Sequence, residues 1–550
     1  MLAPTPFAAT LAGMATEANS DARRRQKSFP HAVKEFVTSI AIAFAMAFVF
    51  RGFVIEGFEI PTGSMAPTLL GKHALVRNDD SGFQWTVGPD QSPPGPAIRV
   101  DTLDDPITRT SARGGELPTR WGDRLFVLKY LRGIYNPARW DVVVFKAPHV
   151  HQNYIKRLIG MPGEQIAIAD GDVFARPAPR DRAAAAGPSV WDAPDWDIAR
   201  KPERVQRALW QPVFDSSFTP EGAPTYDPPW IAEGSGWSGL DDDRSYRYER
   251  DGEASLRWDT DERPITDYTA YNATSIPRNP ALQFPVSDIA MSLVIEPETD
   301  AASLEARLDA RGSTFRATIA DGSATVQRRA TTAADWQTLD TAEADLPAGE
   351  LTRVEFWHAD QALWLFVNGK LVAGGPEDGA YDATPAERIE MATGSTLTDL
   401  MQRPREQGVE NSILADTSIY RTPELGWHFS RGPFTLHRVR VDRDIHYQIT
   451  GPSFTSSGQH ATRGAHPDDP ALLSPDHFMF CGDNSPNSLD ARAWDHEYPW
   501  VTERLHKGER HHGLTHRSLI IGRAFVVYFP SPQLGGPIPV FDAGRMRWVW

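Results

Sequence analysis

The sequence predicts a mainly β protein with one N-terminal membrane-spanning helix and a β body that a second β domain interrupts. Three observations lead to this fold class. A charge-free apolar run lies near the N-terminus, at residues 36–50. Segments of alternating apolar and polar residues, typical of strands, occur on both sides of a long central tract. Within that tract, a Pro- and Trp-rich stretch gives way to a second series of strand-like segments.

The apolar run lies between Lys34 and Arg51, and apolar character extends to Ile55. Because cationic side chains can reach the interface from the ends of a span, residues 33–55 are predicted to be a transmembrane anchor. A basic cluster precedes the run, so residues 1–32 are predicted to be a cytoplasmic tail. The rest of the chain would then lie outside the cytoplasmic (inner) membrane, which the chain crosses once. A cleaved signal peptide and a buried core helix are the alternatives.

Composition excludes several classes of function. The formal net charge of −16 argues against a nucleic-acid partner, which would need a basic face. A single cysteine, Cys481, excludes an intrachain disulfide, and we expect it to be a small buried residue. No phosphate- or dinucleotide-binding motif is present, so no cofactor is expected. Four histidines at 506, 511, 512 and 516 lack a ligand frame such as H-E-x-x-H, so we predict a solvated loop and no metal.

Four blocks make up the predicted β body. They are "FEIPTGSMAPTLLGKHALVR" from residue 58, "GDRLFVLKYL" from 122, "RWDVVVFKAP" from 139 running on through "NYIKRLIGMPGEQIAI", and "FMFCGDNSPNSLDARAW" from 478. Each contains a strand-like run that meets a polar or Gly/Pro-containing turn. The body is therefore assigned to residues 56–172 and 475–530. Residues 79–120 are predicted to be a polar surface excursion, and 531–550 a C-terminal tail.

The tract between the two parts of the body, residues 173–474, is predicted to be an insertion. Its first part has no clear periodicity, whereas residues 284–449 contain several strand-like runs and an Asn368-Gly369 hairpin signal. That second part resembles a concanavalin-A-like β-sandwich of the laminin-G or lectin type, which implies a glycan or protein ligand or a structural role. Because insertions are tolerated at exposed loops, the tract should leave and re-enter the body at neighbouring points and be separable from it.

One serine and one lysine stand out chemically. A serine hydroxyl needs a base before it can attack an amide. No histidine lies in the blocks near a plausible triad, but Lys156 is flanked by apolar residues at 154, 155, 158 and 159. Since apolar burial lowers the pKa of a lysine by several units, Lys156 could serve as that base for Ser64.

The combination of "PTGSMAPTL", "YIKRLIGMPGE" and "GDNSPNSLDAR", in this order behind an anchor, resembles bacterial type I signal peptidases, which are membrane-anchored Ser–Lys proteases. The resemblance covers well under half of the chain. It implies that Ser64 is the nucleophile, that Lys156 is the general base, and that the Ser488 hydroxyl orients the lysine amine. It also implies that the backbone N–H of Ser64 and the hydroxyl of Thr62, where the family more often has serine, form the oxyanion hole.

The same resemblance implies a substrate and its pockets. The substrate would be the A-x-A end of secretory precursor proteins, held in the lipid bilayer by their own apolar segment. The shallow apolar pockets would be formed by five residues: Phe58, Ile60, Leu69, Tyr154 and Ile155. Two pairs of opposite charge, Asp490 with Arg492 and Arg157 with Asp483, would support the site.

Two other readings compete with a signal peptidase. One is a membrane-tethered recognition protein, whose β-sandwich binds a glycan or protein while the peptidase body is inert. The other is a cytosolic self-cleaving repressor-type peptidase, which the anchor and the lack of a DNA-binding head oppose. Retention of Ser64, Lys156, Ser488 and a hydroxyl at position 62 opposes the inert body, because an inert scaffold needs none of the four.

Overall fold

The computed structural model describes residues 33–550 apart from residues 89–96, 130–135, 221–225, 241–242, 278, 280–282, 403–412, 452–461, 510 and 534–540. The predicted cytoplasmic tail, residues 1–32, lies outside the described residues.

The first helix, α1, spans Val33–Phe53, and within the described residues no other helix is long and apolar enough to cross a membrane. Its 21 residues have a mean hydropathy of 1.9, and none of its most apolar window is buried against the rest of the protein. This packing opposes the alternative of a buried core helix, since a core helix would have its apolar side chains covered. The other helices are short: α2 (Pro188–Trp191), α3 (Glu203–Leu209), α4 (Gly375–Asp378), α5 (Pro385–Thr393) and α6 (Leu397–Gln402).

Strands dominate the fold, and the mainly β prediction is confirmed. The first half of the chain contains β1 (Ile55–Glu59), β2 (His73–Arg77), β3 (Gln84–Val87), β4 (Ala97–Asp104), β5 (Ser111–Arg120), β6 (Arg124–Lys129), β7 (Val142–Lys146), β8 (Asn153–Gly160), β9 (Glu164–Ala169), β10 (Asp172–Pro177), β11 (Asp197–Ile198), β12 (Gln211–Asp215), β13 (Trp230–Glu233), β14 (Trp237–Ser238), β15 (Tyr246–Tyr248) and β16 (Ala254–Trp258). The second half contains β17 (Ile289–Pro297), β18 (Ser303–Ala310), β19 (Ser313–Ala320), β20 (Ser323–Ala330), β21 (Gln337–Glu343), β22 (Thr352–Ala359), β23 (Ala362–Val367), β24 (Lys370–Gly374), β25 (Glu424–Ser430), β26 (Phe434–Leu436), β27 (Arg440–Arg443), β28 (Ala471–Leu472), β29 (His477–Cys481), β30 (Thr515–His516), β31 (Ile520–Phe529) and β32 (Arg547–Trp548).

Sheet I joins the two ends of the sequence. Its antiparallel order is β1-β6-β31-β7-β8-β29-β30, and β32 pairs with β31. The strands before the central tract therefore interleave with those after it. Alternating side chains of β1, β6, β7 and β31 bury a small apolar cluster that includes Leu125, Val144 and Val527. The sheet thus brings the fourth sequence block beside the third.

Sheet II contains the points where the central tract leaves and re-enters the body. Its order is β11-β10-β9-β28, so β10 on the exit side and β28 on the return side both pair with β9. Neighbouring exit and re-entry points agree with the expectation for an insertion at a hairpin.

Two further sheets pack face to face as a β-sandwich. Sheet III has nine strands in the order β14-β15-β26-β17-β22-β23-β24 with β12 and β27 alongside, and sheet IV has seven in the order β13-β16-β25-β18-β19-β20-β21. Both contribute to one core, with Leu293 and Phe356 from sheet III against Phe315 and Trp427 from sheet IV. The predicted β-sandwich is therefore present.

The sandwich begins earlier in the chain than the predicted residues 284–449. Strands β12 to β16, all upstream of residue 259, belong to its two sheets. They have only two to five residues each, too few for a periodic pattern to be visible in the sequence. Trp230 and Trp258 pair across β13 and β16, so the Trp-rich composition of this stretch supplies core side chains.

The predicted surface excursion at residues 79–120 is instead mostly strand. Strands β3, β4 and β5 join β2 in sheet V, ordered β3-β2-β5-β4. Val76, Trp85 and Leu103 form a small core, and the buried Asp105 carboxylate accepts hydrogen bonds from Asn78 and Ser81. The sequence does not predict this sheet, because its few apolar residues are spread among many Pro, Gly and polar residues.

A buried ionic network joins the insertion to the body. Asp170 and Asp172 lie at the tip of the β9–β10 hairpin, and Arg311 and Arg388 of the insertion form ion pairs with them. Asp288 contacts both arginines. The carboxylates of Asp172, Asp288 and Asp360 lie close enough together to resemble a metal site. Arginine and lysine side chains already neutralise this group, with Lys201 on Asp360 and Asp444.

The shared interior argues against a separable insertion. One hydrophobic cluster contains Leu158 and Ile166 from the body together with Ile389, Leu400 and Tyr420 from the insertion. Excising residues 179–474 would expose that cluster and remove the arginines that pair with Asp170 and Asp172. We therefore expect a protein with this deletion not to fold.

Removing one cation of the network tests its role. We expect Arg388→Met to lower the free energy of unfolding by about 3–5 kcal/mol, because buried carboxylates would lose a partner. The Arg388 side chain is fully buried, whereas Arg431 pairs with Asp321 while 49% exposed. Arg431→Met should therefore cost less than about 1 kcal/mol. Urea denaturation of the detergent-solubilised protein measures the free energy of unfolding of both variants. Equal losses for the two variants would contradict a stabilising role for the buried network.

Candidate active site

The Ser64 turn follows β1 and is held in place by Asp123 of the second sequence block. The backbone N–H of Ile60 donates to the Asp123 carbonyl (2.9 Å), and the N–H of Leu70 donates to the Asp123 carboxylate (2.9 Å). A Cβ at Gly122 would lie 1.7 Å from the Ile60 carbonyl oxygen, so only glycine allows this approach. The Gly-Asp turn thus fixes both ends of the segment that carries Ser64.

Ser64 and Lys156 are in direct contact. The Lys156 Nζ donates a hydrogen bond to the Ser64 Oγ. Lys156 is 4% exposed, and it lies on β8 opposite Val143 of β7. Burial lowers the pKa of Lys156 to about 8, although nearby carboxylates oppose the shift. Among the described residues, no histidine forms a hydrogen bond with the Ser64 hydroxyl.

Two predicted hydroxyl partners are placed differently. The Thr62 Oγ1 lies 3.5 Å from the Ser64 Oγ on the exposed side of the turn. The Ser488 hydroxyl is fully buried but makes no hydrogen bond, so the predicted contact between Ser488 and the Lys156 amine is not formed here. It lies instead against Gly482, where an added Cβ would come within 2.2 Å of the Ser488 Oγ and 2.4 Å of the Ser64 carbonyl oxygen.

The Arg157–Asp483 pair connects three of the sequence blocks. Both side chains are fully buried, and the guanidinium binds the carboxylate through two parallel hydrogen bonds of 2.7 Å. The Thr68 hydroxyl, four residues after Ser64, donates to the same carboxylate (2.6 Å). The remaining Arg157 donors reach the carbonyls of Trp140 and Trp550. The arrangement is the two-point geometry that makes arginine pairs both strong and directional.

Asp490 and Arg492 form a second buried pair, with a closest separation of 2.9 Å. Burial opposes ionisation, but the Arg492 guanidinium holds the pKa of Asp490 below its usual range. Asp490 also accepts the backbone N–H of Gly482 (2.9 Å), which shapes the loop beneath Ser64. Cys481 is fully buried next to this pair, and burial raises the pKa of its thiol, so it stays protonated.

The five predicted pocket residues do not share one surface. Phe58, Ile60, Leu69 and Ile155 pack in the same apolar cluster of sheet I. Tyr154 lies on the other face of β8, beside Trp494. Ile60 and Leu69 are buried, so exposed lining is left to Phe58, Ile155 and Tyr154, which are half-buried.

The insertion contributes two residues that the sequence did not indicate. Tyr271 is buried against Ala66 and Leu70, and its ring occupies the space that a Cβ at Gly63 would need, within 2.0 Å. Asn272 and Asn484 exchange side-chain hydrogen bonds of 2.7 and 2.8 Å. The Asn484 amide then donates to the Gly63 carbonyl (2.9 Å). The insertion therefore packs directly against the turn that carries Ser64.

The C-terminal residues also contact the site, although residues 531–550 are predicted from the sequence only to be a tail. The Arg547 guanidinium donates to the Thr68 carbonyl, and Arg545 pairs with Asp123 at 3.1 Å. Contacts of this kind leave no local pattern, since each joins residues more than 400 positions apart. Of the residues in these contacts, only Asp123 lies in a motif that the sequence analysis recognised, the Gly-Asp turn.

Residues 33–88 and 112–185 match the profile of a protein family described as "Signal peptidase, peptidase S26". These two segments are therefore similar to signal peptidases. They contain Ser64 and Lys156, but not the loop with Ser488. The family match and the exposed apolar α1 together indicate a membrane-anchored protein.

Curated relatives agree with the match. Signal peptidase I of Buchnera aphidicola subsp. Schizaphis graminum is 30% identical over 131 residues, which are 24% of this chain and 30% of that protein. Signal peptidase I of Pseudomonas aeruginosa is 32% identical over 120 residues, or 22% of this chain and 28% of that protein. The chain thus matches about a third of the length of these relatives.

Among solved structures, the similar ones are β-sandwich proteins. The carbohydrate-binding module CBM66 from Bacillus subtilis aligns with 39% of this chain and 96% of its own, at 8% identity and a TM-score of 0.23. A Thermotoga maritima laminarinase catalytic domain aligns with 43% of this chain and 100% of its own, at 8% identity and a TM-score of 0.24.

The contact between the insertion and the Ser64 turn can be tested by hydrogen exchange. Asn272→Ala removes the partner of Asn484, and a side-chain hydrogen bond contributes about 1 kcal/mol. We expect backbone amides of residues 63–66 to exchange about fivefold faster, while those of the sandwich core stay unchanged. Timed exchange of the intact protein, followed by quenching, proteolysis and mass spectrometry of the peptides, measures this. Asn368→Ala, in the distant hairpin turn, is the control and should leave residues 63–66 unaffected.

Proposed function

We propose that the protein is a membrane-bound serine endopeptidase that removes signal peptides from exported precursor proteins, cutting after A-x-A sites with Ser64 as nucleophile and Lys156 as general base. The observation that carries the proposal is the contact between the Ser64 hydroxyl and a buried amine whose pKa is lowered to about 8. The family match supports it, because the matched segments contain both residues.

The chemistry needs a neutral amine. When Lys156 is unprotonated, its Nζ accepts the hydroxyl proton as the Ser64 Oγ attacks the scissile carbonyl carbon. The Ser64 N–H and the Thr62 hydroxyl stabilise the resulting oxyanion. The protonated amine next gives its proton to the leaving nitrogen, and the acyl group stays on Ser64. Water, deprotonated by Lys156, then hydrolyses that ester and restores the enzyme.

The substrate would bind as an added strand. In sheet I, β1 lies at one edge, and the β8–β29 ladder covers only residues 157–160 of β8. Residues 153–156, which lead to Lys156, therefore present a backbone edge without pairing from β29. A peptide along these edges would gain backbone hydrogen bonds, while the half-buried Phe58, Tyr154 and Ile155 select small side chains.

The membrane explains the position of the site. Only one residue separates α1 from β1, and Ser64 follows β1 by five residues. A precursor held in the lipid bilayer by its own apolar segment would present its cleavage site at the same depth. With the basic residues before α1 on the cytoplasmic side, the active site would face the extracytoplasmic side of the inner membrane.

The inert-body alternative has less support. An inert scaffold would not need a fully buried lysine in contact with an accessible serine, since burying an amine is costly. A glycan or protein ligand for the insertion remains a prediction. The contacts of Tyr271 and Asn272 favour a role for the insertion in holding the Ser64 turn.

The dyad is tested by two single variants and their combination. Ser64→Ala and Lys156→Met should each reduce cleavage of an A-x-A precursor by at least about a thousandfold, because nucleophile and base act as one unit. The double variant should be no slower than either single one. The assay is cleavage of a purified model precursor by detergent-solubilised protein.

Lys129→Met is the matched control, since Lys129 forms an ion pair with Glu56 at the edge of sheet I. It should keep near-normal activity. Substantial cleavage by Lys156→Met, with folding and membrane association unchanged, would show that the base is another group.

The pH dependence follows from the lowered lysine pKa of about 8. The amine is a base only when unprotonated, so kcat/KM should rise about tenfold per pH unit below that pKa and level off above about 9. Cleavage assays stopped at fixed times across this pH range give the midpoint pH of the rise in kcat/KM. A midpoint of about 6.5, together with loss of activity on histidine modification, would assign the base to a histidine instead.

A further inference from the structure

A cluster of histidines lies apart from Ser64, where strand β29 begins. His477 opens β29 and pairs with His516 of β30 across the ladder. His506 follows a single π-helical turn, Val501–Leu505, and His511 lies further along the same loop. The sequence predicted a solvated loop for the histidines at 506, 511, 512 and 516, and this is wrong for His506 and His511, which are buried as His477 is. His477, His506 and His511 are only 4%, 4% and 8% exposed.

The three buried rings lie close to one another. Their ring centroids are 4.7 Å apart for His477 and His506, 4.4 Å for His477 and His511, and 4.9 Å for His506 and His511. Imidazoles bound tetrahedrally at nitrogen–metal distances of about 2.0–2.1 Å have ring centres about 5 Å apart. Among the described residues, the possible metal ligands whose ligand atoms already lie within 4.8 Å of one another are Asp172, Asp288 and Asp360, and the His477 and His511 rings are stacked with an interplanar angle of 25°. The three rings would therefore have to turn before one nitrogen of each could bind the same ion.

Two of the three rings, His477 and His506, have one nitrogen beside the kind of partner that metal-bound histidines use, whereas the His511 Nε2 lies 3.4 Å from the Glu509 carboxylate. The His477 Nδ1 lies 2.8 Å from the Ser474 hydroxyl, and the His506 Nδ1 lies 2.8 Å from the Glu497 carboxylate. Such second contacts fix the ring and leave the other nitrogen for the ion. In both residues that other nitrogen, Nε2, is buried and makes no hydrogen bond. A buried polar atom without a partner calls for an explanation, and a metal supplies one.

His516 differs from the other three. Its Nδ1 accepts the backbone N–H of Ser518 at 3.2 Å, which places the ring proton on Nε2. That tautomer cannot donate an Nε2 lone pair to a metal. His516 is also half-exposed, so it borders the cluster without completing it.

We propose that His477, His506 and His511 bind a divalent transition-metal ion of the zinc class, with a water molecule or an exogenous ligand in the fourth position. Neutral imidazole favours zinc, cobalt and nickel over magnesium or calcium, which prefer oxygen ligands. The ion would link the 497–516 loop to β29, the strand that leads to Cys481 and the Asp483 loop. Its role would be structural, because none of the three histidines contacts Ser64 or Lys156 among the described residues.

The test uses the full-length protein in detergent, purified with a histidine-free tag, stripped with a chelator and dialysed against zinc. We expect about one zinc per chain by elemental mass spectrometry, and a thermal midpoint several degrees higher than that of the stripped protein. His477→Ala and His506→Ala should lose the zinc and its stabilisation. His516→Ala and His428→Ala should keep both, since His428 is exposed on β25 of the sandwich.

Cobalt gives a readout that needs no variant. The stripped protein loaded with Co²⁺ should show the intense visible absorption of a tetrahedral site, which keeps the test valid if His477→Ala fails to fold. Three results would each overturn the proposal: zinc far below one per chain after reloading, loss of zinc by His428→Ala as large as that by His477→Ala, or a weak octahedral cobalt spectrum.

Discussion

The two-point ion pair between Arg157 and Asp483 is the interaction on which the rest of the site depends. It is fully buried, so each partner would be costly without the other. The residue before Arg157 is Lys156, and Asp483 lies in the loop that packs beneath the Ser64 carbonyl. Thr68 joins the segment that carries Ser64 to the same carboxylate. One pair therefore sets the positions of Lys156, the Ser64 turn and the supporting loop, although these come from distant parts of the chain.

Burial of the lysine and order in the surrounding loops are two aspects of one constraint. An amine has a pKa near 8 only where water is excluded and nearby carboxylates are already paired. Asp483 and Asp490 raise the pKa of Lys156, and their ion pairs with Arg157 and Arg492 limit that effect. Loss of either arginine would thus act on Lys156 through electrostatics as well as through packing. The charge pairs and the apolar flanks of β8 both serve to keep the amine neutral.

The insertion is part of the same construction. Its buried arginines neutralise the carboxylates at the tip of the β9–β10 hairpin, and its Tyr271 ring fills the space beside Gly63. A glycine at position 63 is required by that ring as well as by the turn. Because of these contacts, the long tract between the two halves of the body is part of the structure that surrounds Ser64. They also connect its stability to the order of the Ser64 turn.

The sequence alone determined the fold class, the anchor and the identity of the Ser64 and Lys156 motifs, because these depend on local patterns: an apolar run, strand alternation, and short motifs in order. It could not determine the early strands of the sandwich, since strands of two to five residues have no readable period. Nor could it show that Tyr271, Asn272 and the C-terminal arginines contact the Ser64 turn, or that Ser488 lies against Gly482 without reaching Lys156. It also placed the histidines of residues 506–516 in solvent, whereas pairing of β29 with β30 brings His477 among them, and His477, His506 and His511 are buried. Only tertiary structure decides these contacts, because each joins residues far apart in the chain and depends on which strands become neighbours.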